Sequence, residues 1–141
     1  MKRNLISTIS CHTYPFERLE EFADNGESLE VKIEGIKSAR PKEAKYLWQR
    51  FADFLPFQTT SEDFSLGEGS TPLLESKELA DYVGIDSLLL KNETMNPTWS
   101  FKDRGSLACI FMAKELGEKI TATISTGNMG ASIAAYGARS G

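Results

Sequence analysis

The sequence predicts an α/β fold: an open parallel sheet with flanking helices, preceded by a small β-rich appendage. Three observations predict it. Leu88-Leu89-Leu90 is an apolar run without alternation, as expected of a strand covered on both faces. Ile120 to Ile124 is a second short run, rich in Thr and Ile. Each run is followed by a loop and a long helical segment, and the order strand-helix-strand-helix implies right-handed crossovers between parallel strands. Ligands of such sheets bind beyond the carboxyl ends of the strands. That geometry would bring the loop before Lys102 and the loop around Asn128 to one side of the domain.

Composition narrows the class. The 141 residues are 40% hydrophobic and 26% charged, an ordinary balance for a globular domain. A net charge of −4 with no basic run speaks against nucleic acid as a partner. No apolar stretch approaches the ~20 residues that span a bilayer, so no membrane partner is expected. The N-terminal Met1-Lys2-Arg3 carries charge without an apolar core behind it, which argues against a signal peptide. Cys11 and Cys109 are too far apart to suggest a disulfide framework. A cytoplasmic location is the expectation.

Residues 1–40 read as the β-rich appendage. Ser10 to Pro15 and Ser28 to Ile33 suggest short strands, the second alternating with period two. Asp24-Asn25-Gly26 is a turn signal between them. Cys11 and His12 are adjacent, but no second pair of ligands follows, so no metal site is expected.

Residues 41–65 read as a helix and a linker. Pro41 opens a segment, Lys42 to Phe54, whose apolar positions Ala44, Leu47, Trp48, Phe51 and Phe54 recur at three- and four-residue spacing. Pro56 ends it, and Thr59 to Phe64 is polar. Residues 66–141 then read as the start of the α/β domain. Gly67 and Gly69 invite a phosphate-loop reading, but the rest of a dinucleotide fingerprint is missing. The simpler reading is a turn, with Pro72 starting a buried strand. Glu75 to Val83 is expected as a short helix closed by Gly84, and Ser87 to Glu93 as the first clear strand.

The stretch that organises this part is Asn96-Pro97-Thr98-Trp99-Ser100-Phe101-Lys102-Asp103-Arg104-Gly105. Ser100 and Asp103 have the spacing of a capping box, so a helix is expected to begin at Lys102 and to stop at Gly117. Its apolar residues, Leu107 to Ala113, nearly surround the axis, which predicts a largely buried helix with Cys109 in the core. A lysine in the first turn opposes the helix dipole. Such a placement suggests a side chain wanted as a free amine, for covalent chemistry on a carbonyl. Ser125-Thr126-Gly127-Asn128 follows the second apolar run and leads into an alanine-rich helix from about Met129.

Asn-Pro-Thr-x-Ser-Phe-Lys-Asp-Arg-Gly resembles the Schiff-base segment of the fold-type II pyridoxal-phosphate enzymes, the tryptophan-synthase-β-like group. The resemblance implies pyridoxal 5'-phosphate as cofactor, with Lys102 both its covalent attachment point and the catalytic residue. Ser125-Thr126-Gly127-Asn128 is similar to the family's second motif. There the asparagine, here Asn128, donates its amide N–H to the cofactor's phenolate oxygen, and the loop, here Ser125, Thr126, Gly127 and Met129, receives substrate. Gly67-Glu68-Gly69-Ser70-Thr71-Pro72-Leu73 resembles the segment that opens the family's domain.

Leu47-Trp48-Gln49-Arg50-Phe51 and Ala131-Ser132 point within that group to threonine synthases, which convert O-phospho-L-homoserine and water to L-threonine and phosphate. Met129 stands where those enzymes tend to have threonine, and Gln49 where they have arginine. Serine/threonine dehydratases, sulfhydrylases and a non-catalytic homologue remain as alternatives. The resemblance covers residues 42–141 and only the front part of such an enzyme. The cofactor-phosphate loop and the partner of the pyridine nitrogen are expected further along, so the chain reads as a fragment without turnover of its own. The complete enzyme is expected to be a homodimer acting on a small amino-acid substrate.

Overall fold

The computed structural model describes residues 2–18, 20–36 and 41–141. The chain divides into two compact units, Met1–Glu43 with Trp48–Pro56 and Ala44–Leu47 with Phe57–Gly141. The expected end of the appendage at residue 40 lies outside the described residues.

The first unit is built on three antiparallel strands, β1 (Lys2–Ser7), β2 (Thr13–Tyr14) and β3 (Leu29–Glu34), in the order β2-β1-β3. β1 pairs along its whole length with β3, from Lys2 opposite Glu34 to Ser7 opposite Leu29. The strand expected from Ser10 to Pro15 is confined to Thr13–Tyr14, because Ser10 and Cys11 form the turn of the hairpin. Cys11 has φ 59° and its N–H reaches the carbonyl of Ser7 at 3.2 Å. Glu27 locks that turn by accepting the N–H and the hydroxyl of Ser10, each at 2.8 Å. The backbone bond from Ser10 is the main cause that holds the Glu27 carboxyl down at about 2. The turn expected at Asp24-Asn25-Gly26 forms, with Gly26 at φ 83° and its N–H on Ala23.

The expected continuous helix from Lys42 to Phe54 does not form. Only α1 (Leu47–Arg50) and a 3₁₀ turn, Ala52–Phe54, are helical. The backbone N–H of Lys42 bonds the carbonyl of Arg50 at 2.9 Å, and Lys42 Nζ meets Asp53 at 2.9 Å. Those contacts fold the segment back on itself, which a straight helix forbids.

In the second unit, β4 (Leu73–Glu75) is followed by α2 (Lys77–Val83), β5 (Leu89–Lys91), α3 (Lys102–Leu116) and α4 (Asn128–Ser140). The α/β character holds, but the sheet corrects the expectation. β4 and β5 pair antiparallel, Leu73 opposite Lys91 and Glu75 opposite Leu89. Their faces are not covered: Leu73 is 58% and Leu89 56% exposed. Ile120 to Ile124 is not a strand and lies open, with Ile124 fully exposed. A strand exists through the hydrogen bonds of a neighbour, and among the described residues none lines up beside this run.

The helices keep closer to their sequence signals. Ser76 caps α2 through its side chain, and Gly84 ends it at φ 74°. Gly117 ends α3 at φ 77°. The core of the unit is the α3–α4 packing with Phe57 set against Phe111, ring centroids 5.1 Å apart. Phe64 from the 3₁₀ turn Glu62–Phe64 lies 6.3 Å from the same ring. Glu115 holds the approach to that turn by accepting the N–H groups of Gln58 at 2.6 Å and Thr59 at 2.8 Å. α3 buries Leu107, Ile110 and Phe111 on one face rather than all round, and Cys109, expected in the core, is exposed.

Candidate active site

The cleft of interest, about 380 Å³, is lined by Lys102, Ser125, Thr126, Gly127, Asn128 and Met129. The structure thus brings together all six residues singled out in the sequence. Lys102 is the first residue of α3 and Asn128 the first of α4, so two helix starts meet here. Lys102 is half-buried, with Nζ 4.6 Å from the centroid of the Phe101 ring. Ser125, Thr126, Gly127 and Asn128 are exposed. Met129 is partly buried, and its Sδ accepts a long contact of 4.0 Å from the hydroxyl of Ser106.

The loop before Lys102 is held by its own polar groups. Asn96 is buried; its amide donates to the Glu93 carbonyl at 2.9 Å and to the Glu93 carboxylate at 2.8 Å, while its oxygen accepts the N–H of Gly69 at 2.9 Å. Trp99 sits at φ 59°, a left-handed conformation costly for a non-glycine residue, and its N–H bonds Asn96 O at 2.8 Å. The expected capping box takes other partners. Ser100 Oγ accepts from Lys102 N at 3.3 Å, but the Asp103 carboxylate turns to Thr98, accepting its N–H at 2.7 Å.

The second unit also holds polar contacts that the sequence does not announce. Arg104 is bidentate on Glu93, at 3.0 and 2.9 Å, and also reaches Thr71 Oγ1 at 3.2 Å. The guanidinium is the main reason the Glu93 carboxyl is held down at about 2. Lys91 Nζ donates to the carbonyl of Thr71. Glu68, buried in the Gly67–Gly69 turn, accepts from Ser65 Oγ and from the hydroxyl of Tyr136. Glu68 and Thr71 are buried and Glu93 and Arg104 partly so; side chains of these types are usually exposed unless paired, so no spacing signals their burial. The one available hint was the i, i+4 relation of Ser132 and Tyr136, which puts both on one face of α4.

A primary amine beside an amide, two hydroxyls and a helix start with uncapped N–H groups is a set suited to an aldehyde bearing a phenolate and an anionic partner. α4 has no side-chain cap, and its first N–H groups have no acceptor within the helix. The cleft therefore sets one lysine amine among amide and hydroxyl groups at two helix starts. A sequence model of the family described as "Pyridoxal-phosphate dependent enzyme" matches residues 64–141. The chain belongs to that family, and its cofactor is pyridoxal phosphate.

Among its relatives are threonine synthases. That of Methanocaldococcus jannaschii is 48% identical over 92 residues, covering 65% of this chain and 23% of that protein. That of Methanosarcina acetivorans is 41% identical over 114 residues, covering 81% and 26%. That of Synechocystis sp. is 34% identical over 134 residues, covering 94% and 34%. The chain spans 23% to 34% of the length of these relatives.

Proposed function

We propose that this chain is the front part of a threonine synthase, a lyase that converts O-phospho-L-homoserine and water to L-threonine and phosphate. The observation that carries the reading is the convergence of Lys102 with Ser125 to Met129 in one cleft. The threonine synthases among its relatives support the choice of reaction. Residues 66–141 would begin the cofactor-binding domain, with 41–65 as a linker that carries the short helix α1 and 1–40 as the appendage. The complete protein would be a cytoplasmic homodimer acting on a small amino-acid substrate.

Bound at this cleft, pyridoxal phosphate supplies an electron-withdrawing ring that takes up the electron pair released when a substrate C–H bond breaks. The chain's own residues do the rest. Lys102 Nζ would hold the cofactor's carbonyl group. As a positioned general base and acid, the same amine would take protons from substrate carbons and return them. Asn128 steadies the phenolate oxygen through its amide N–H without adding a full charge. Ser125, Thr126 and the N–H groups at the start of α4 receive the substrate's anionic group.

Taken by itself, the 141-residue chain is expected to bind the cofactor weakly and without turnover, because four of the six lining residues lie open to solvent. Met129 favours a second reading. A thioether offers no hydroxyl to a phosphoester, which suits a fold-type II enzyme acting on threonine or serine itself. The assay is phosphate release and threonine formation by the complete protein from O-phospho-L-homoserine. Deamination of threonine or serine, with the phosphoester untouched, would replace the first reading by the second.

A further inference from the structure

We infer that Asp103 and Ser132 are a positioning pair that sets Lys102 and Asn128 against each other; the inference rests on the proposed role of Lys102. Both side chains are fully buried. Oδ1 of Asp103 accepts the hydroxyl of Ser132 at 2.6 Å, and Oδ2 accepts the N–H of Thr98 at 2.7 Å. The Thr98 hydroxyl bonds Oδ1 as well. One carboxylate therefore ties three pieces together: the loop before Lys102, the first turn of α3 and the first turns of α4.

The placement matters because of where the tie falls. Asp103 is the residue after Lys102, and Ser132 lies one helical turn after Asn128 on the same face of α4. The start of each helix is thereby pinned within a turn of the residue it presents to the cleft. The three donors are neutral, and the carboxylate sits in the first turn of α3, where helix N–H groups favour negative charge. Bonds of that kind are charge-assisted, short and directional. Ser106 Oγ and Met129 Sδ add a second, weaker link between the same two helices. Neither Asp103 nor Ser132 lines the cleft, so neither touches substrate.

The test uses the complete protein loaded with pyridoxal phosphate and trapped with borohydride. Adduct formation is followed at Lys102 and at the exposed Lys119 by peptide mapping, beside the melting temperature. Ser132→Ala is expected to slow capture at Lys102 about tenfold, the effect of one lost net hydrogen bond, and to leave Lys119 unchanged. Tyr136→Phe removes a buried hydrogen bond elsewhere on α4 and is the control. It should lower the melting temperature while keeping Lys102 capture within about twofold of the parent. If Ser132→Ala does not fold, Asp103→Asn, which keeps the side-chain shape, should show the same selective slowing. Capture at the parental rate in the pair's variants, or an equal fall in Tyr136→Phe, overturns the inference and leaves the role of Lys102 standing. No adduct on Lys102 in the parent protein overturns both.

Discussion

The hydroxyl of Tyr136 donates to Oε2 of Glu68 at 2.7 Å, joining α4 to the Gly67–Gly69 turn inside the second unit. Burial pushes the Tyr136 phenol above its usual range, with the Glu68 carboxylate adding to the effect, so it stays a donor wherever the fold survives. Tyr136→Phe leaves Glu68 with the Ser65 hydroxyl and the Leu66 N–H as its donors. The expected cost is about 1–3 kcal/mol, the range for removing one partner of a buried hydrogen bond. Denaturant unfolding of the two proteins side by side measures it; an unchanged midpoint would mean that the bond contributes nothing.

Acid should loosen the second unit through Glu93. Its folded pKa of about 2 lies below the ordinary value of 4.5, chiefly because of Arg104. A depressed carboxyl stabilises the fold above its unfolded pKa and loses that contribution as pH falls from about 4.5 to about 2. Glu93→Gln should cost roughly 1.5–3 kcal/mol at neutral pH, the range for hydrogen bonds to charged groups. The gap between parent and variant should close on acidification. Glu27 titrates low as well, but it is present in both proteins and drops out of the comparison. A gap that stays constant from neutral pH to about 2 would contradict this assignment.

Gly69 is required by space as well as by backbone. It has φ 84°, and a Cβ there would lie 2.9 Å from Arg104 Nη1 and 2.9 Å from Leu47 Cδ2. Gly69→Ala should therefore destabilise by about 1–3 kcal/mol, the cost of one strained residue held in place. A thermal melt that matches the parent would show that Arg104 and Leu47 give way freely.

What the sequence made legible was mostly local. Gly84 and Gly117 mark two helix ends and Asn-Gly marks the turn before β3; α3 starts at Lys102 as the Ser100–Asp103 spacing predicted, though both side chains take other partners. These signals act within a few residues of the feature they specify. The strands did not read as well, because pairing depends on distant partners. Leu88-Leu89-Leu90 has the composition of a central parallel strand, yet among the described residues β5 pairs only with β4, and antiparallel. Ile120 to Ile124 has strand composition but no neighbour among the described residues. The cleft was legible as six residues in two motifs. The buried polar groups were not: Asp103, Glu68, Thr71 and Ser132 look like surface residues until the fold supplies their partners.

In the complete protein, Asn128→Ala should lower kcat by about 10²-fold with a smaller effect on KM, as for loss of one donor to a developing charge. Steady-state kinetics decides it. A rise in KM with kcat unchanged would move Asn128 from the cofactor to substrate binding.

Attachment of the cofactor to Lys102 is read directly from where the cofactor sits. The protein is loaded with pyridoxal phosphate, reduced with borohydride, digested and mapped by mass spectrometry. One dominant adduct is expected, on Lys102 at the first turn of α3. An adduct spread evenly over the lysines, or centred on Lys91 or Lys114, would contradict it.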